Sequence, residues 1–237
     1  MSGWTAKRFW KQAGVVPVPG GFGVALDGRP VKTPAKAALV VPTRAMARAI
    51  AAEWAAQTGK IDPGSMPVTR SANSAIDKVA PQKAEVADLV AAYGASDLLC
   101  YRAEAPEALA ARQAAGWDPW LEWAAGVWGP LRVTKGIVPV DQPADTLHAL
   151  AAEVAALSPF ELAAVHDLVA LSGSLVLGLA VARGWIDPES AWALSRIDET
   201  WQAERWGEDA EAAAFAAAKA RDFAHAAQFL KLCRSEM

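Results

Sequence analysis

The sequence has few of the residues from which covalent or metal chemistry is built: two cysteines, three histidines and two tyrosines in 237 residues. Cys100 and Cys233 lack the spacing of a metal site and the number for a disulfide framework, so both read as buried, reduced thiols of a cytosolic protein. His148, His166 and His225 fall singly on separate predicted helices, and the adjacent His166 and Asp167 are expected to point to different faces. Structural or solvated histidines follow, with no metal and no cofactor. Charge of one sign is also missing. The 23 Lys and Arg against 26 Asp and Glu give a net −3 with no like-charge block, which speaks against a nucleic-acid or anionic-membrane partner. The most membrane-like stretch, Leu168 to Ala182, is uncharged but shorter than the roughly 20 residues that span a bilayer and reads as a buried core helix, without membrane insertion. Met1 to Lys11 has no apolar core of signal-peptide length and is too short and too rich in tryptophan for a transit peptide.

Catalytic signatures are equally scarce. Gly20-Gly21-Phe22-Gly23 is not followed by Lys-Ser or Lys-Thr at phosphate-loop spacing, so it reads as a hairpin turn. Ser172-Gly173-Ser174 lies in a long helical pattern and not in the strand-turn-helix of a nucleophile elbow. Asp198-Glu199 and Glu208-Asp209 are adjacent acids, unlike a pair poised across a cleft. The chain therefore reads as a binding protein and not as an enzyme.

What is abundant is alanine, with 11 tryptophans. Alanine favours helix, and an indole brings a large apolar area with an N–H that wants a partner. The pattern predicts an α+β protein in two parts. Residues 1–72 form a β-rich domain, a small antiparallel sheet with a packed helix, and residues 73–237 form a larger all-helical domain. The β-favouring runs are Val15 to Val18, Gly23 to Leu26, Pro30 to Thr33 and Leu39 to Val41, with Asp27-Gly28 as a type I′ hairpin turn. Pro17, Pro30 and Pro34 cannot donate ladder hydrogen bonds, so some strands should be edges or end early. Thr43 caps a helix with Met46, Ile50 and Trp54 on its inner face. Helices then follow over Pro81 to Ala92, Pro106 to Val127, Pro143 to Leu157, Pro159 to Arg183, Pro188 to Trp206 and Asp209 to Cys233, with a strand conceivable over Arg132 to Val140. Within these helices, Trp120 and Trp123 read as core, and Trp117 and Trp128 as exposed anchors. Asn73 and Asp77 read as boundary hydrogen-bonding residues, with a polar recognition patch as the alternative.

One helix carries two faces worth burying. Successive residues turn by about 100°, so Leu194, Ile197 and Trp201 fall on one side while Trp192, Glu199, Gln202 and Trp206 fall nearly opposite. A second face with two indoles around an acid and an amide fits either a helix sandwiched between layers or a partner-binding surface.

Several segments resemble one family in the same order along the chain. They are Val24-Ala25-Leu26-Asp27-Gly28-Arg29-Pro30-Val31-Lys32-Thr33-Pro34, Ala52-Glu53-Trp54, Met66-Pro67-Val68-Thr69 with Ala72-Asn73, Ser96-Asp97-Leu98-Leu99-Cys100-Tyr101-Arg102, Gln113 with Trp117-Asp118-Pro119, and Glu199, Gln202 and Trp206-Gly207. Together they are similar to the assembly chaperone for the α subunit of the F-type ATP synthase. The resemblance implies a molecular chaperone that binds the unassembled α subunit and promotes assembly of the soluble catalytic head. It also implies Glu199 as the leading functional acid, with Gln202 and Trp206 beside it and Asp198 at a position that is acidic in the family. Trp192 joins this set from the helical pattern alone. A bacterial cytoplasm is implied, and the free protein is expected to be a monomer. The alternative is a small-molecule enzyme with a cleft between the two domains, motivated by the two-part layout and the Asn73 and Asp77 pair.

Overall fold

The computed structural model describes residues 7–235. The first six residues of the Met1 to Lys11 stretch lie outside the described residues. The chain opens with four strands, β1 (Ala13–Val18), β2 (Gly21–Leu26), β3 (Arg29–Pro30) and β4 (Val40–Val41), followed by α1 (Arg44–Ala56) and α2 (Pro67–Ser74). After them come α3 (Lys83–Ala91), β5 (Tyr101–Arg102), α4 (Glu107–Val127), β6 (Thr134–Lys135) and α5 (Ala144–Ala155). The remaining helices are α6 (Pro159–Ser172), α7 (Leu175–Ala182), α8 (Pro188–Ser195), α9 (Ile197–Trp206) and α10 (Ala210–Arg234). A small antiparallel sheet followed by helices is the α+β architecture expected from sequence. The chain packs as two compact units: Met1–Lys83 with Ser158–Ala164 and Gln228–Met237, and Ala84–Leu157 with Val165–Ala227.

In the first unit β2 is central. It pairs with β1 from Ala13↔Leu26 to Val18↔Gly21, and with β3 and β4 further along. The β2–β3 turn has Asp27 at φ 47° and Gly28 at φ 80°, the two positive angles a type I′ turn demands. Pro17 sits in the edge strand β1, and Pro30 ends β3 after two residues. Gly21 combines φ 153° with the carbonyl oxygen of Val41 only 2.3 Å from where a Cβ would stand, so the sheet closes there only around glycine. Helix α1 covers the sheet with Met46, Ala47 and Ile50, all fully buried, and Thr43 caps it by accepting the Met46 N–H at 3.1 Å. Its Glu53 then caps the next helix, accepting from Val68 N, Thr69 N and Thr69 Oγ1 at 2.7, 2.8 and 2.6 Å. Glu53→Ala leaves these donors without their acceptor and should lower unfolding free energy by about 2 kcal/mol, read as a shifted denaturant midpoint with unchanged slope.

The returning chain completes this unit. Phe160 stacks on Phe229 at 6.5 Å, Arg234 Nε reaches Glu161 Oε1 at 2.7 Å, and Thr43 Oγ1 donates to Leu232 O at 2.6 Å. Cys233 is half-buried, less enclosed than expected, and its Sγ donates to Phe229 O. The Asp77 carboxylate accepts from Thr33 Oγ1 at 2.6 Å and Ala35 N at 3.0 Å, so it ties a sheet loop to the helical segment. Between α2 and α3 the chain stays helical through a π segment, Ala75–Val79, and a tight turn, Ala80–Gln82. Pro81 is the cause: it has no N–H to give the Asp77 carbonyl, and its ring cannot fit a regular turn.

In the second unit the organising residue is Asp97. Its carboxylate is fully buried and accepts from Leu99 N at 3.0 Å, Ser174 Oγ at 2.8 Å and Val176 N at 2.9 Å. Burial pushes this carboxyl above its usual range, against the pull of those donors. The Ser174 hydroxyl in turn accepts the Leu177 N–H, so α7, buried along its whole length, begins on a two-residue polar seat. The uninterrupted helix expected over Pro159 to Arg183 is thus two helices. Gly173 at φ 73° ends the first, and Ser174 caps the second. Gly178 does allow close approach, since a Cβ there would stand 2.6 Å from Val169 Cγ2. The expected strand over Arg132 to Val140 is reduced to Thr134–Lys135, parallel to Tyr101–Arg102. The side chains of His166 and Asp167 meet, with Nδ1 and Oδ1 2.9 Å apart, instead of diverging; the contact raises the imidazole pKa. Among the described residues no helix is long and apolar enough to cross a membrane.

Candidate functional site

The helix expected from Pro188 to Trp206 is also two. The Asp187 carboxylate caps α8, accepting Ser190 N at 2.9 Å, and α8 stops at Ser195 because Arg196 leaves the helical region at φ −116°, ψ 18°. This break detaches Trp192 from the face it was expected to share with Glu199, Gln202 and Trp206. Trp192 is half-buried and lies against Phe223 of α10, ring centres 5.7 Å apart. A residue that the sequence did not single out restores the link. The Arg196 guanidinium lies 5.6 Å over the Trp192 ring, and its Nη1 donates to Glu199 Oε1 at 2.5 Å. Trp192, Arg196 and Glu199 therefore form one indole–cation–carboxylate chain across the break.

Helix α9 is held from beneath by α4. Trp117 is 1% exposed and its indole N–H donates to the Leu194 carbonyl at 2.9 Å, one of the last acceptors of α8. Gly116 leaves room for Ile197, whose Cδ1 would stand 2.7 Å from a Cβ. Gln113, buried, uses both ends of its amide: Oε1 accepts Ala103 N at 2.7 Å and Nε2 donates to Asp198 Oδ1 at 2.6 Å. Arg112 makes a two-pronged bond to Glu204 at 2.6 and 3.0 Å, which raises the guanidinium pKa and lowers the carboxyl pKa. Asp198 is thus half-buried and turned toward α4, whereas Glu199, Gln202 and Trp206 are exposed on the outer face, Trp206 at 79%. Trp201, on the inner side, is half-buried beneath Arg205 at 4.9 Å.

Arg112, Arg196 and Glu204 carry no sequence signal of their own, because each finds its role through a helix packed across it or a break in its own helix. Gln113→Leu keeps the volume of the buried amide but strands Ala103 N and Asp198. It is expected to cost about 2 kcal/mol, seen as a fall in melting temperature. The tryptophans of α4 are distributed opposite to expectation. Trp117 and Trp128 are buried, at 1% and 8% exposure, while Trp120 and Trp123 are half-buried on the outer side. The Pro119 inside α4 does not break it.

Trp206, 79% exposed at the C-terminal end of α9, offers a large apolar ring to solvent. The profile of the family described as ATP12 chaperone protein matches residues 7–125. The crystal structure of Atp12 from Paracoccus denitrificans is 55% identical, covers 97% of this chain and 99% of its own, and superposes with a TM-score of 0.94. The chain belongs to the ATP12 chaperone family. A putative chaperone from Agrobacterium tumefaciens is also similar, at 43% identity over 96% of this chain and 86% of its own, with a TM-score of 0.91. The mitochondrial protein atp12 of Schizosaccharomyces pombe is 26% identical over 214 residues, 85% of this chain and 74% of that protein. The resemblance read from the sequence motifs therefore holds at the level of the family, and this ATP12-family protein is a chaperone of ATP synthase assembly. The sequence profile ends within α4, whereas the structural likeness runs through α9 and α10.

Proposed function

We propose that this protein holds the unassembled α subunit of the ATP synthase and presents it for assembly of the soluble head, working by binding and not by catalysis. The observation that carries this reading is the outer face of α9, where Glu199, Gln202 and Trp206 are exposed together on a helix braced by α4. An indole 79% exposed on a braced helix has the apolar area of an interface anchor, and the adjacent acid and amide can fix the orientation of what covers it. In this arrangement Asp198 and Trp192 act from behind the contact face: Asp198 through Gln113, Trp192 through Arg196. The likeness to the P. denitrificans and A. tumefaciens proteins supports a bacterial setting, and we place the protein in the cytoplasm as a monomer when free.

The test is capture. Tagged protein should co-purify α subunit, and not β, from cells making both, and should suppress light scattering when denatured α is diluted into buffer. Equal capture of β, or no protection of α at stoichiometric chaperone, would overturn the reading.

A further inference from the structure

Helix α9 carries four charged side chains, Asp198, Glu199, Glu204 and Arg205. Each acid already has a donor within the protein: Gln113 Nε2 at 2.6 Å for Asp198, Arg196 Nη1 at 2.5 Å for Glu199, and the Arg112 guanidinium at 2.6 and 3.0 Å for Glu204. Arg205 differs from all three. It is exposed, its guanidinium lies 4.9 Å over the half-buried Trp201 ring, and among the described residues it enters no hydrogen bond or ion pair. The ring fixes where the cation stands and leaves the N–H edges of its planar fork open. Local partners are withheld from it. In a continued helix Glu208 and Asp209, three and four residues on, would stand beside Arg205. Gly207 at φ 92°, ψ 157° ends the helix before them, and Asp209 Oδ1 accepts Ala212 N at 2.8 Å instead.

Successive helical residues turn by about 100°, so Arg205 falls between Trp201 and Gln202, and Gln202 in turn neighbours Trp206 four residues on. Gln202, Arg205 and Trp206 are all exposed. The cation therefore borders the outer face of α9 on the same helix. A face whose acids are engaged from within, and whose one unengaged charge is positive, is complemented by a carboxylate. We infer that Arg205 is a specificity residue of the chaperone: its guanidinium, held on Trp201, receives an aspartate or glutamate side chain of the α subunit beside the apolar surface that covers Trp206. The inference rests on the proposed function and adds the charge that the bound surface carries. Glu199 stands six residues earlier, about 9 Å back along the helix axis, so it and Arg205 address different groups of that surface. A guanidinium already placed by stacking loses little further freedom when it pairs. A surface with no acid at this point leaves the cation covered and unpaired, which is the source of discrimination.

The experiment measures the chaperone concentration that halves scattering of diluted α subunit, with the melting temperature of each variant beside it. Arg205→Gln should raise that concentration roughly tenfold and Arg205→Glu roughly a hundredfold, both with melting temperatures close to wild type. Arg205→Glu is then set against a panel of α subunits in which surface aspartates and glutamates are changed one at a time to lysine. One member of the panel should bind the wild-type chaperone poorly and restore protection by Arg205→Glu to within roughly threefold of the unaltered pair. A residue that only complements the C-terminal dipole of α9 would lose stability and binding together, with no such rescue. Wild-type protection by Arg205→Glu, or a panel in which no member restores it, would overturn the inference. Failure of the wild-type chaperone to protect unaltered α subunit defeats the proposed function, whereas wild-type protection that Arg205→Glu matches defeats only the role of Arg205.

Discussion

Asp97→Ala should unfold the helical unit more readily than any other single truncation of a polar side chain in it, lowering unfolding free energy by about 4 kcal/mol. The reasoning starts from three donors, Leu99 N, Ser174 Oγ and Val176 N, that all end on one fully buried carboxylate. Alanine leaves each of them in a water-free interior, and each stranded donor costs about 1–3 kcal/mol. Some of that is recovered because a charge no longer has to be buried, which opposes folding in the wild type as the raised pKa records. Asp97→Asn separates the two effects. Its carbonyl can still serve Leu99 N and Ser174 Oγ, its NH₂ confronts Val176 N, and the charge is gone. A loss of about 1–2 kcal/mol is expected. Chemical denaturation followed by far-UV circular dichroism measures both, and an Asn variant as damaged as the Ala variant would show that the cost lies elsewhere than in the count of donors.

The same residue shows what a sequence can and cannot disclose. Ser96-Asp97 stands in the sequence as a motif and Ser172-Gly173-Ser174 reads as part of a long helix, but Asp97 and Ser174 are 77 positions apart and nothing local says that they pair. Turn chemistry was legible wherever the deciding residue is adjacent: Asp27-Gly28 made its hairpin, Thr43 made its cap, and Asp209 caps α10 through Ala212 N at 2.8 Å. Helix continuity was not. Periodicity ran straight through Gly173 and Arg196 because the apolar spacing on either side stays in phase, and a break costs no change in pattern when the next helix starts with its own cap or carbonyl partner. The burial of the tryptophans of α4 and its C-terminal end is hidden from the sequence for a related reason. Trp117 and Trp128 look terminal or peripheral by position, yet Trp117 finds the end of α8 for its indole N–H, and Trp128 lies beneath Arg183. Indoles are placed by what arrives from far along the chain, so spacing within one helix does not rank them.

On the proposed contact face, Trp206→Ala is expected to weaken binding of the proposed α-subunit partner by roughly thirtyfold, about 2 kcal/mol, while leaving the melting temperature of the free protein nearly unchanged. The second half of that expectation follows from exposure, since a ring 79% open to water contributes little to its own fold. The first half follows from what is exposed: an indole at the end of a helix that α4 holds by Trp117, Gln113 and Arg112 loses little further freedom on binding. Glu199→Lys should match or exceed this loss. It replaces the acid that Arg196 holds at 2.5 Å with a second cation, so the Trp192–Arg196–Glu199 chain is broken at its outer end and the face reverses sign. Its stability cost stays within about 1 kcal/mol, because the pair is solvent-exposed and only the favourable acid at the first turn of α9 is lost. Gln202→Ala, between them, should cost only a few-fold. The measurement is the chaperone concentration that halves scattering of diluted α subunit, taken beside the melting temperature of each variant. Were binding lost only in step with stability, α9 would be a structural helix and the contact would lie elsewhere; loss of binding at constant stability places the contact on Glu199, Gln202 and Trp206.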